Sequence, residues 1–125
     1  MKRIIAAVVL IALVAMLAVT ESIYIKKFCS RKKEEITNVK NMYSENISEC
    51  ADSAERFRKD WINVQAKMTL FVNHSLIDQI SEDATRIPVY AENRDEAEFY
   101  AACADVERTL KQISDDQRIT IDSFY

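Results

Sequence analysis

From Ile4 to Val19 the chain runs sixteen residues without one polar side chain, and beyond residue 35 its apolar positions become spaced instead of continuous. Ile36, Val39, Tyr43, Ile47, Cys50, Ala54, Phe57, Trp61, Val64, Met68 and Phe71 follow one another at intervals of three or four, and so do Phe99, Cys103, Val106, Leu110 and Ile113. This spacing lines one face of an α-helix, and its 3-4 rhythm is that of helices facing each other in a bundle. Phe57, Trp61, Val64, Met68, Phe71, Phe99, Val106, Leu110 and Ile113 are the expected core. Helix starts are signalled by Asp52 with Glu55, Ser75 with Asp78 and Asp95 with Glu98, each a capping side chain three residues before an acidic one. They divide the chain into a first helix reaching to about residue 50, then helices over roughly 53–73, 76–92 and 96–114. Pro88 falls in the third, which must kink there or begin later. The closing segment from Arg118 to Tyr125 alternates and ends apolar, and is expected to dock on the bundle.

The sixteen-residue run spans about 24 Å as a helix, short of a ~30 Å hydrocarbon core; continued to Ile25 it has 22 residues and reaches about 33 Å. The reading is a membrane anchor over residues 1–25, with Tyr24 and Phe28 as aromatic anchors at the interface. A basic juxtamembrane collar over 26–33 follows, in which Lys26, Lys27, Arg31, Lys32 and Lys33 meet lipid head groups, and then a helical domain over 34–125. The competing reading is a cleaved secretory signal, since Lys2 and Arg3 make a basic start; residues 15–22 offer no clean pair of small residues for cleavage. Lys26, Lys27 and Phe28 before Cys29 also exclude a lipoprotein site. Two basic residues precede the run and five follow it, which by count alone favours a cytoplasmic domain, while net charge ties. The short basic tail ahead of the run, as in an ordinary insertion signal, favours a domain outside the cell membrane.

Composition narrows the fold further. With no Gly and one Pro, the chain has no inexpensive residue for positive-φ turns, so tight hairpins and Gly-dependent phosphate loops are excluded and the fold class is all-α. The expected architecture is an N-terminal transmembrane helix followed by a small antiparallel bundle of about four helices in two hairpins. Residues 1–33 hold seven basic side chains against Glu21, a net +6, while the remaining 92 residues hold ten basic and nineteen acidic groups, a net −9. An acidic body argues against nucleic acid as a partner, and a basic collar beside an apolar run points to lipid.

Glu49, Asp52, Ala54 and Glu55 recur 43 residues later as Glu92, Asp95, Ala97 and Glu98, a pattern that two stacked helical hairpins would give. Trp61, the stretch Phe71-Val72-Asn73-His74 followed by Ile77-Asp78-Gln79-Ile80, the pair Arg86-Ile87, the helix start at Asp95 and Ala97, and the closing Ile119-Thr120-Ile121-Asp122-Ser123-Phe124 are similar to a further pattern. They resemble an uncharacterised family of small single-span membrane proteins from Gram-positive, clostridial-type bacteria. The resemblance covers nearly the whole chain and implies a membrane anchor carrying a small helical domain. It brings no activity, cofactor or catalytic residue. Ser75-Leu76 stands where that family tends to have acidic residues.

One stretch could carry chemistry. His74, Asp78 and Glu82, spaced i, i+4, i+8, would share a face of a continuous helix and could hold a divalent metal or serve as an acid–base set. A helix starting at Ser75 would instead leave His74 outside and break that face. Cys50 and Cys103 lie on apolar stripes, where they are either reduced and buried or paired; Cys29 beside the membrane could link two chains into a homodimer. Asn46-Ile47-Ser48 and Asn73-His74-Ser75 match the glycosylation pattern, which is idle in a bacterium. The expectation is therefore a membrane-anchored interaction or scaffolding module for another protein, without cofactor and without enzymatic activity. The alternatives are a metal-binding or enzymatic site around His74, and a secreted helical effector released by signal cleavage.

Overall fold

In the computed structural model the backbone is described for residues 1–123 and the side chains through Gln117. Four helices make up the chain: α1 (Lys2–Glu45), α2 (Ile47–Met68), α3 (His74–Glu92) and α4 (Glu96–Ser123), with no strand among the described residues. The closing segment, set apart in the sequence from a helix ending near 114, continues α4 to Ser123. Whether its side chains dock on the bundle lies outside those described.

α1 is a single helix of 44 residues, about 66 Å long at roughly 1.5 Å per residue. Neither Gly nor Pro interrupts it, and its hydroxyls at Thr20 and Thr37 donate back to the carbonyls of Met16 and Lys33, at 2.8 and 2.9 Å, without competing for a cap. Its apolar run is largely exposed: Ile4, Leu10, Ile11 and Leu17 are each more than 60% exposed, while Ala15, Ala18 and Val19 are partly covered. This is one helix long and apolar enough to cross a membrane. From Ser22 onward the same helix buries a stripe through Ile25, Phe28, Cys29, Lys32, Ile36 and Val39. The bundle thus begins about a dozen residues before the expected boundary at 34, and the collar is part of its wall.

The connections explain how a Gly-free chain turns three times. Asn46 alone joins α1 to α2: it leaves the helical region at φ −152°, and its side chain accepts from the Glu49 amide at 3.2 Å. α2 therefore starts six residues before the expected site, and Asp52 lies inside it. Asn73 caps α3 by accepting from the Ser75 amide at 2.9 Å, so His74 opens the helix and Ser75 is not its cap. Both Asn-x-Ser sequences are helix starts. Between α3 and α4, Arg94 sits at φ 57°. There the Asp95 amide bonds the Tyr90 carbonyl at 2.9 Å and the Arg94 amide bonds the Ala91 carbonyl at 3.2 Å, the Schellman arrangement usually completed by glycine. α3 passes through Pro88 unbroken, its ring buried on the core side.

Contacts across the bundle fix its order. α1 packs on α2 and α4, and α3 packs on the same two, so the hairpins α1–α2 and α3–α4 pack against each other and close a four-helix bundle. Cys50 Sγ lies 3.3 Å from the Val39 carbonyl and Phe28 meets Trp61 at 6.3 Å between ring centroids, which sets α2 antiparallel to α1. Lys40 pairs with Glu107 at 3.1 Å while Tyr43 stacks on Phe99 at 4.6 Å, so α4 also runs against α1. The 43-residue recurrence does not correspond to a structural repeat, because it matches Asp52 in mid-helix with Asp95 at a helix start. Trp61, Phe57, Met68, Phe99, Val106, Leu110 and Ile113 are all buried; Val64 is half-buried, and Phe71, expected in the core, is 43% exposed.

Candidate functional site

Because α2 descends antiparallel to α1, its C-terminal end and the turn of residues 69–73 return to the point where α1 leaves its apolar run. Tyr24, Ile25 and Phe28 of α1 face Val64 and Met68 of α2 and Phe71 of the turn around a cleft of about 400 Å³. Thr20, Glu21 and Lys67 supply its polar lining. Leu70 beside it is 75% exposed. Apolar exposure outside the long run is thus concentrated at this end, with Ile62 and Val89 elsewhere. Hydrogen bonding fixes Trp61, which packs on Phe28 of the cleft. The Trp61 indole donates to Ser81 Oγ at 2.9 Å, and Ser81 in turn lies 2.7 Å from Gln65 Oε1 and 2.9 Å from the Ile77 carbonyl, tying α2 to α3.

The collar divides by helix face. Lys26, Lys27, Arg31 and Lys33 are exposed, whereas Lys32, expected among the head-group contacts, is buried. Its ammonium donates to Glu35 at 2.9 Å, stands 3.9 Å from Asp60, and lies 5.6 Å from the ring centres of both Phe28 and Phe57. A buried cation is retained where paired carboxylate and aromatic faces replace its hydration, so Lys32 joins α1 to α2. Phe28, expected as an interfacial anchor, is only 4% exposed and packs on Trp61; Tyr24, stacked beside it, is 55% exposed. The sequence carried a signal for both: Ile25, Phe28, Lys32 and Ile36 continue the 3-4 stripe backward into the collar.

With α3 starting at His74, the imidazole does share a helix face with Asp78, Nε2 to carboxylate 3.4 Å, but both side chains are well exposed. Glu82 is exposed two turns on, and among the described residues no three His, Cys, Asp or Glu side chains are gathered closely enough to hold a metal ion. A water-facing i,i+4 pair of this kind contributes a few tenths of a kcal/mol to a helix. Nearer α4, Asp83 shares a polar surface recess with Asp105, Arg108 and Thr109. Burial, reinforced by Asp105, holds its carboxyl above the usual range.

All three cysteines are free and buried. Burial pushes the thiols of Cys29 and Cys103 up to about 12 and that of Cys50 up to about 11, which keeps them protonated at neutral pH and unreactive. Cys29, considered as a link between two chains, faces the core at 1% exposure and is not accessible to a second copy.

The chain belongs to the family described as Domain of unknown function (DUF4363), whose model matches residues 19–123. The matched stretch begins at the last residue of the apolar run. No curated protein and no solved structure matches the chain.

Proposed function

We propose that this member of the family is a single-pass membrane protein, with its acidic four-helix domain outside the cell membrane, and that it acts by binding rather than by catalysis. The observation that carries this reading is the continuity of α1. One helix is apolar and largely exposed over residues 4–19 and, without a break, forms a wall of the bundle from Ser22. An exposed apolar surface of that length is stable only when covered by lipid or protein. A rigid helix across the boundary holds the domain at a set height and orientation, as a docking platform requires. Net charge of −9 beyond residue 33 gives the platform an acidic outer face, complementary to a basic partner protein. The His74–Asp78 pair is open to water and the partly buried Asp83 meets Asp105 in a surface recess, and neither has the enclosed, mutually aligned arrangement of an acid–base site.

Protease shaving of intact cells, read by the mass of the protein before and after, tests the placement. The expected result is loss of the full-length species and survival of a membrane-protected fragment near residues 1–30. A full-length protein that resists shaving until the membrane is permeabilised would put the domain in the cytoplasm. A species lacking about the first 22 residues before any protease is added would establish the secreted form.

A further inference from the structure

We infer that the cleft between α1, α2 and the α2–α3 turn is a lipid site, taking one acyl chain of a phospholipid from the adjoining leaflet. This inference rests on the anchor reading. Its α1 wall begins at Thr20, the residue directly after the apolar run, and continues through Tyr24, Ile25 and Phe28 on the same uninterrupted helix. If residues 4–19 lie in hydrocarbon, this wall is the next surface a lipid meets. The opposite wall, Val64, Met68 and Phe71, is apolar as well, and about 400 Å³ lies within the range of sites that enclose small apolar ligands.

Two further features name the occupant. Leu70 and Phe71 leave large apolar surface exposed at the very end of the domain that the span presses toward the bilayer, 75% and 43% exposed respectively; water penalises this surface and an interfacial lipid layer does not. Lys67 lines the cleft, and Lys26 and Lys27 are exposed on α1 between the lining residues Ile25 and Phe28, giving an anionic head group cations to meet. Glu21 is the single carboxylate in the lining and pairs in sign with Lys67. Together these set an acyl chain inside the cleft and its head group at the level of the collar.

Trp61 is the one tryptophan of the chain, fully buried, and its ring lies 6.3 Å from that of Phe28 in the cleft wall. It therefore reports on the cleft and not on the bulk bilayer. The full chain is reconstituted in vesicles of phosphatidylcholine and phosphatidylglycerol, with ordinary or with mid-chain-brominated acyl groups, and Trp61 emission is compared. Bromination is expected to about halve the emission. Val64→Phe, which fills the cleft, is expected to restore it, with Val64→Met giving partial relief should the larger ring disturb the fold; Ile62→Phe, on the same helix but outside the lining, should stay quenched. Vesicle-bound protein with unquenched Trp61 would overturn the lipid site while leaving the anchor intact, and so would equal quenching in folded Val64→Phe and Val64→Met. If a second copy fills the cleft instead, Trp61 stays unquenched and a label at Phe71 crosslinks two chains. Failure to associate with vesicles would remove the anchor reading and this site together.

Discussion

At the scale of single residues, the chain solves locally what its composition withholds. Arg94 occupies the left-handed region at φ 57° because the Schellman arrangement ending α3 needs that geometry and no glycine is present to supply it. A side chain with a Cβ costs roughly 1 kcal/mol there. Arg94→Gly is accordingly expected to stabilise the domain by about 1 kcal/mol, a rise in Tm of roughly 4 °C in thermal unfolding followed by circular dichroism. Asp83 carries a cost of an electrostatic kind. Burial raises its pKa in the folded state, with Asp105 and Glu82 adding and Arg86 and Arg108 opposing. A carboxyl raised in this way favours the folded state below its unfolded pKa, and the contribution is lost as pH rises through the folded value. Asp83→Asn should therefore raise Tm at pH 7, with the gain shrinking as pH falls into and below the carboxylate range. A gain that grows toward acid would contradict the assignment. Lys32 shows what residue type alone conceals: one of five basic residues in a row of collar positions, it is distinguished only by falling on the stripe that includes Phe28 and Ile36.

At the scale of elements, the helical stripes were legible because burial imposes a period of 3.6 wherever a helix packs into the bundle. Trp61, Phe99, Val106, Leu110 and Ile113 are at most 1% exposed for that reason. Helix starts were less legible, since Ser, Asp and Asn are interchangeable as caps, and an acidic residue three positions on occurs by chance in an acidic chain. Asn46 and Asn73 took the caps from Asp52 and Ser75. The bundle's beginning was hidden by the apolar run itself: a continuous stretch through Val19 carries no periodicity, and the first inward residues beyond it, Ser22 and Ile25, look like its continuation. The cleft was not legible at all, because it depends on the antiparallel return of α2 to Tyr24 and on Phe71 lying at the turn rather than inside a helix. Asn46 gives the element scale its prediction. As the sole residue between α1 and α2, it satisfies the Glu49 amide, and Asn46→Ala should cost about 1 kcal/mol in denaturant unfolding, chiefly as a shift in midpoint with unchanged slope. A loss below a few tenths would mean the cap is not what sets this junction.

At the scale of the whole molecule, one continuous helix joins two environments. Residues 4–19 offer only apolar side chains, the collar is basic on its outer face, and the body is acidic, an order that matches hydrocarbon, head groups and water in turn. The turn of residues 69–73 returns to the point where α1 leaves its apolar run, bringing Leu70 and Phe71 to the bilayer side, while Asn46 and Arg94 mark the far end roughly 36 Å away. None of the buried core residues lies within 4–19, so the bundle's own core and the fate of the span are largely separable. The most direct test of the account is the intact mass of the protein in membranes washed with alkaline carbonate. The account predicts the full 14.4 kDa chain in the pellet. A soluble species shortened by about 22 residues, with the bundle folded and nothing left in the membrane, would contradict it.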